Sequence, residues 1–288
     1  MKNVFQQRFG WPVHVWRWPS RRQLLNGLQT HKPVHVYAPP VRFGDWKLIV
    51  SNWSRSGTVL SHGGLLAREI LSRAEPSGAL KPAAVMQHAK SFSRAVLQPS
   101  RSTPPVGHEA EQEVLYVVEG EGALEAGDKT WPLREGSALL IPAGVSHTLR
   151  NMGDFPLELL VLTEALPPGY EKRATSVLAR NRHEVPIVLA HWNMQVAVLF
   201  SDTDGLAALH SVLAVVVDPM QVTEPHGHPV GTDEVWYLLE GAGLHMVGQE
   251  LTEQWPGDAV YIREEPHVII NDSDEPITMF YFAHYGGR

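Results

Sequence analysis

The chain has 288 residues, 43% of them apolar and 19% charged, a balance that excludes a disordered polyelectrolyte. Its longest apolar run, Ser211 to Val217, is far shorter than the roughly 18 residues a membrane-spanning helix needs. The absence of cysteine excludes disulfide frameworks, thiolate metal sites and cysteine nucleophiles, so any metal must rest on His, Asp or Glu.

The net charge of −7 is unevenly spread. Residues 1–60 hold nine basic residues against the single acid Asp45, a net +8 that leaves −15 for the remainder. Five of the nine tryptophans, Trp11, Trp16, Trp18, Trp46 and Trp53, share that stretch. A basic, aromatic segment could serve as a single-strand nucleic-acid surface. The simpler expectation is an arm, within an extension over residues 1–85, that packs on its own domain or on a second subunit, where Arg and Trp are both enriched. Within it, Pro12 to Trp16 recurs as Pro33 to Tyr37, two similar alternating runs that read as short strands. No compact apolar leader occupies Met1 to Trp16, so a cytoplasmic location is expected. Leu65 to Ala74 reads as a short helix near the end of the extension.

From about residue 86 the chain duplicates itself. At an offset of 120, Val96-Leu97-Gln98-Pro99 falls on Val216-Val217-Asp218-Pro219 and His108 on His228; at 121, Glu113 to Gly120 falls on Glu234 to Gly241, and Gly136 on Gly257. The offset returns to 120 for His147 on His267 and Asn151 on Asn271. Each copy consists of short alternating runs punctuated by Gly, Pro and Asp, with no helical periodicity, which predicts antiparallel β-barrels or sandwiches. The expected organisation is a first barrel over 86–165, a linker with connecting strands over 166–196 centred on Pro167-Pro168-Gly169, and a second barrel over 197–288.

The second copy carries the fuller set of metal-ligating residues. His226 and His228 lie two apart, a spacing that turns both rings to one face of a strand. Glu234 opens the next strand and His267 follows the Gly257-Asp258 turn. Three imidazoles and a carboxylate suit one divalent ion, Fe, Mn, Ni, Zn or Cu, with positions left open for substrate. The competing explanation is a chance gathering among fifteen histidines. Five residues separate His228 from Glu234, so Asp233 is an alternative ligand; Glu234 is preferred because it aligns with Glu113. In the first copy Val106 stands where the first histidine should be, leaving His108, Glu113 and His147 as a second candidate site, with Glu109 or Glu111 as a further donor. Trp236, two residues past Glu234, is expected to wall the pocket; Tyr261 and His245 are weaker candidates, and Arg263 or Glu264 could face a substrate.

The run His226-Gly227-His228, Glu234, Gly257 to Ile262, His267 and Asn271, with Gly136, Ile141 to Gly144, His147 and Asn151 in the first copy, resembles the paired motifs of the cupin superfamily. The resemblance implies two tandem cupin jelly-roll barrels (double-stranded β-helices), each with a metal or ligand pocket in its mouth. It further implies a metal-dependent protein acting on a small organic substrate; the short apolar runs argue against a membrane partner, the packing expectation for the arm argues against nucleic acid, and a homodimer remains open. A dioxygenase-type oxidoreductase with Glu234 as ligand or base is the leading expectation. A non-redox isomerase, lyase or aminohydrolase and a non-catalytic, sugar-like small-molecule binder remain open, because fold does not choose among them.

Overall fold

The computed structural model describes residues 48–74, 83–171 and 174–286. The arm up to residue 47, including its paired Pro-Val-His-Val runs, lies outside the described residues. The described chain is almost entirely β. A large sheet orders the strands Leu178–Asn181, Ser137–Ile141, Glu111–Glu119, Leu157–Ala165, Ala89–Leu97, Leu65–Arg73 and Thr58–Ser61, and the strand Ala84–Met86 pairs parallel to Leu65–Arg73. It is closed into a first barrel by the small sheet Thr148–Asn151, Gly122–Ala126 and Lys129–Leu133. The second barrel repeats the plan. Its large sheet runs Ile49–Asn52, Asp258–Ile262, Asp233–Glu240, Ile277–His284, Ser211–Val217, Met194–Ser201 and Ile187–Ala190, and its small sheet is Gln221–Val222, His267–Asn271, Gly243–Val247 and Glu250–Gln254. No helix among the described residues is long and apolar enough to cross a membrane.

The two copies exchange strands. Ile49–Asn52 precedes the first barrel in sequence yet pairs with Asp258–Ile262 of the second. Leu178–Asn181 precedes the second barrel's strands yet pairs with Ser137–Ile141 of the first. Trp53, at the described end of the basic segment, crosses with the first of these. Gly257 has φ +94, and a Cβ there would stand 2.7 Å from the Trp53 indole nitrogen, so only glycine both makes the turn and admits the ring.

Three cores explain why the central strands are apolar on both faces. On Glu111–Glu119, Leu115 and Val117 fill the first barrel, while Val114 and Tyr116 join a core shared between the barrels. On Asp233–Glu240, Trp236 and Leu238 point into the second barrel, while Val235 and Tyr237 enter the shared core beside Phe92, Phe280 and Phe282. The period of two therefore separates the inside of a barrel from the junction, and does not separate core from solvent.

One expected element is corrected. Leu65–Arg73 is a nine-residue strand and not a helix. Its pairing with Ala89–Leu97 shifts between Glu69 and Leu71, a bulge that sends Leu65 and Ala67 into the barrel and both Ile70 and Leu71 into the shared core. That extra residue turns an alternating pattern into one with helix-like spacing. Residues 166–196, read as a linker with connecting strands, carry Leu178–Asn181, Ile187–Ala190 and the start of Met194–Ser201.

Candidate metal centre

The strand period decides which acid of the second barrel faces inward. Glu234 shares its side of the strand with Trp236 and Leu238 and is fully buried in the barrel. Asp233, one residue earlier, points to the junction, where its Oδ2 accepts from the backbone N–H groups of Gln87 and His88, both at 2.8 Å. It therefore clasps the first copy's chain and stands outside the cluster.

Around Glu234 the three expected histidines converge, with one ligand atom from each of His226, His228, Glu234 and His267 lying within 4.8 Å of the others. His226 and His267 are held opposite one another by a β-bridge. His228 Nε2 is 3.0 Å from Glu234 Oε2, and His267 Nε2 is 3.4 Å from Oε1. The ring orientations are fixed from behind: Nδ1 of His226 donates to the Glu224 carbonyl at 2.9 Å and Nδ1 of His267 to that of Glu265 at 3.1 Å. With Nδ1 carrying the proton, each Nε2 lone pair is left for a central cation.

Glu234 Oε1 also accepts a 2.6 Å hydrogen bond from the Trp236 indole, which holds that oxygen in place. Burial opposes the Glu234 carboxylate, but the imidazoles of His267 and His228 overcome it and hold the pKa well below the usual carboxylate range. Burial and the neighbouring His267 push His226 down to about 4, so it is neutral and available as a ligand near pH 7.

The donor set fits a divalent ion on a further observation. The Nε2 atoms of His228 and His267 and Oε2 of Glu234 are buried and make no aligned hydrogen bond, although His228 Nε2 is only 3.0 Å from Oε2. Buried polar atoms left unpaired cost roughly 1–3 kcal/mol each, and a cation among them would satisfy all three.

The structure also places the remaining candidates. His245 lies fully buried behind His267, and burial with His267 pushes it down to about 3. Tyr261 belongs to the shared core, and Arg263, half-buried, directly follows the strand Asp258–Ile262. Glu264 is exposed. In the first barrel Glu113 points inward and His147 is buried beside it, whereas His108 stands nearer the rim with Nε2 3.7 Å from Glu113 Oε1. A cavity of about 660 Å³ at the barrel junction, lined by His88, Tyr170, His210 and His284 among others, contains none of these ligands.

Four residues near the two clusters were not anticipated. Tyr281 and Tyr285 join through their hydroxyls at 2.6 Å, with Tyr281 against Trp236 and Tyr285 against His228. His191 stacks on His226 at 3.8 Å between ring centroids, and His62 reaches Glu113 in the first barrel. The last two occupy matching places in the sequence. At an offset of 129, Asn52 falls on Asn181, Val59-Leu60 on Val188-Leu189 and His62 on His191, so the duplication begins upstream of the motifs.

Two jelly-roll barrels, each closing within its walls a strand-built His/Glu cluster that could hold a metal ion, define a double-barrel protein. The family model for the cupin domain matches twice, over residues 93–163 and 213–283, and the chain belongs to the cupin superfamily as a two-domain bicupin. The oxalate-binding protein of Thermotoga maritima is 32% identical over 83 residues, 29% of this chain and 69% of that protein. A solved structure described as a glyoxylate-induced protein of Pseudomonas aeruginosa superposes with a TM-score of 0.66 over 86% of this chain and 91% of its own, at 18% identity. A variant of Bacillus subtilis oxalate decarboxylase gives 0.63 over 86% and 81%, at 17% identity. At these identities the two structures share the fold alone with this chain.

Proposed function

We propose that the second barrel is a metal-dependent catalytic centre that acts on a small, chelating carboxylate compound of the oxalate type. The observation that carries the reading is the fully buried Glu234 ringed by three imidazoles, with the inward nitrogens of His228 and His267 making no aligned hydrogen bond. A divalent ion bound there would supply Lewis acidity toward a chelated carboxylate and, where redox-active, a place for oxygen chemistry. The chain's own residues supply the rest. Trp236 holds one oxygen of Glu234 in place, the paired hydroxyls of Tyr281 and Tyr285 border the cluster, and the apolar strand around Trp236 limits water.

Two reaction classes share this centre, a dioxygenase-type oxidation and a non-redox cleavage of lyase type. The buried, apolar setting of Trp236 favours oxidation, whereas the likeness to proteins named for oxalate binding and oxalate decarboxylation favours the lyase. Oxygen uptake and product formation, followed with oxalate and related small carboxylates in air and under strict anaerobiosis, separate them. Turnover stoichiometric with oxygen supports oxidation, and an undiminished anaerobic rate supports the lyase. Ligand binding that persists in metal-free protein, with no turnover in any metal form, overturns both.

A further inference from the structure

The first barrel has lost the histidine that matches His226, and Val106 occupies its place. The backbone there is unchanged: Val106 bridges His147 as His226 bridges His267. Without an imidazole at 106, the space beside Glu113 is reached from another direction. The turn between Thr58–Ser61 and Leu65–Arg73 carries His62, whose Nε2 lies 3.1 Å from Glu113 Oε2, with side-chain exposures of only 5% and 4%. Ser61 Oγ is 2.7 Å from His62 Nδ1 and fixes the ring from behind, as backbone carbonyls do in the second barrel.

The turn that delivers His62 has a left-handed backbone, with φ +50 at His62 and +64 at Gly63. Its counterpart has φ +43 at His191 and +73 at Trp192. Both copies thus keep a non-glycine residue where it costs on the order of 1 kcal/mol. In the second barrel this turn lays His191 flat on His226, which already fills the ligand position. In the first, with that position vacated by Val106, the same turn brings its histidine to the carboxylate.

A simple ion pair between His62 and Glu113 leaves the site unsatisfied. His147 Nε2 and His108 Nε2 are buried and without partners, and both rings lie within about 6 Å of the His62 ring. One ligand atom from each of His62, Glu113 and His147 lies within 4.8 Å of the others. Three imidazoles around one carboxylate form a nitrogen-rich set that favours first-row transition ions or zinc over magnesium or calcium.

We propose that the first barrel holds a second divalent metal ion on His62, Glu113 and His147, flanked by His108, with His62 standing in for the ligand lost at position 106. This site is independent of the one assigned to the second barrel. The full-length chain and its His62→Ala, His267→Ala and double variants, loaded with Co(II) or Zn(II) and dialysed, are compared by elemental analysis. Binding should be about two ions per chain in the wild type, about one in either single variant and close to none in the double. Because the barrels share a core, the ion that remains in His62→Ala also reports that the chain is folded. Adding Val106→His to His62→Ala should restore the second ion. A wild type that binds one ion and keeps it in His62→Ala overturns the proposal. So does a His62→Ala chain that keeps two, or a folded His62→Ala/Val106→His chain that regains none. Full occupancy in His267→Ala instead overturns the second-barrel assignment and leaves this one standing.

Discussion

The two barrels are built to one plan and differ in how each surrounds its inward carboxylate. Both place an inward glutamate at the start of the strand that lines the junction, Glu113 and Glu234, and both oppose it with a buried histidine, His147 and His267. The second barrel fills the remaining positions from within its motif. The first draws His62 from a hairpin turn more than forty residues upstream of its motif. The comparison teaches that a duplicated framework fixes where a ligand must arrive but not which segment supplies it. Anything that joins the barrels should therefore act on both, whereas changes inside one barrel should remain local.

The largest expected effect lies in the core the barrels share. The Phe92 ring sits 5.1 Å from Phe282, 5.4 Å from Tyr237 and 5.9 Å from Phe280, which brings one residue of the first copy against three of the second. Phe92→Ala should cost about 3–5 kcal/mol while preserving a single unfolding transition. Urea melts followed by tryptophan fluorescence and by circular dichroism should coincide; two separated transitions would show that the barrels unfold independently.

Adjacent residues on one strand should separate chemistry from stability. Glu234→Gln removes the charge at the centre of three imidazoles and should weaken metal binding at least about 100-fold, the upper end of what loss of an outer-shell partner produces. Asp233→Ala should leave metal binding intact and cost about 2 kcal/mol, because two backbone N–H groups lose a buried acceptor. Metal titration and denaturant melts of both variants check the pair, and the reverse pattern would mean that the strand faces have been assigned the wrong way round. Trp236→Phe keeps an aromatic ring and deletes the 2.6 Å bond to Glu234, so metal affinity should fall on the order of 10–100-fold with little change in melting temperature.

Much of this architecture was legible in the sequence. Repetition at an offset near 120 exposed the two barrels, and the His226, His228, Glu234 and His267 set followed from its spacing, because a strand fixes which neighbours share a face. Alignment with Glu113 selects Glu234 over Asp233, and the alternation Glu234, Trp236, Leu238 against Asp233, Val235, Tyr237 supplies the physical reason. The features that escaped lay where periodicity fails. A bulge near Ile70 gave a strand the spacing of a helix. The upstream repeat, with His62 on His191, was hidden because the first copy carries nine additional residues before its motif, which moves the offset from 120 to 129. The exchange of edge strands left no local signal, since pairing with the other barrel needs no different residues from pairing with one's own.

The smallest expected effect tests that exchange. Arg180 lies on Leu178–Asn181, the strand lent to the first barrel, and its guanidinium grips Asp204 of the second copy through bonds of 2.8 and 2.7 Å. Burial alone would raise the Asp204 pKa, but the hydrogen bonds from Arg180 and the Ser201 amide prevail and hold it below its usual value. A depressed folded-state pKa means that this contribution is complete above the unfolded value near 3.9 and is lost as pH falls through the lower, folded one. Both side chains are partly exposed, which limits the pair to about 1 kcal/mol. Arg180→Ala should therefore destabilise the chain by about that amount at pH 6 and by less near pH 2.5, below the unfolded value. Urea melts of metal-free wild type and variant at the two pH values measure the difference. An Arg180→Ala penalty of equal size at both would show that the side chain acts by packing on Phe200, which its guanidinium covers at 5.5 Å, and not through its charge.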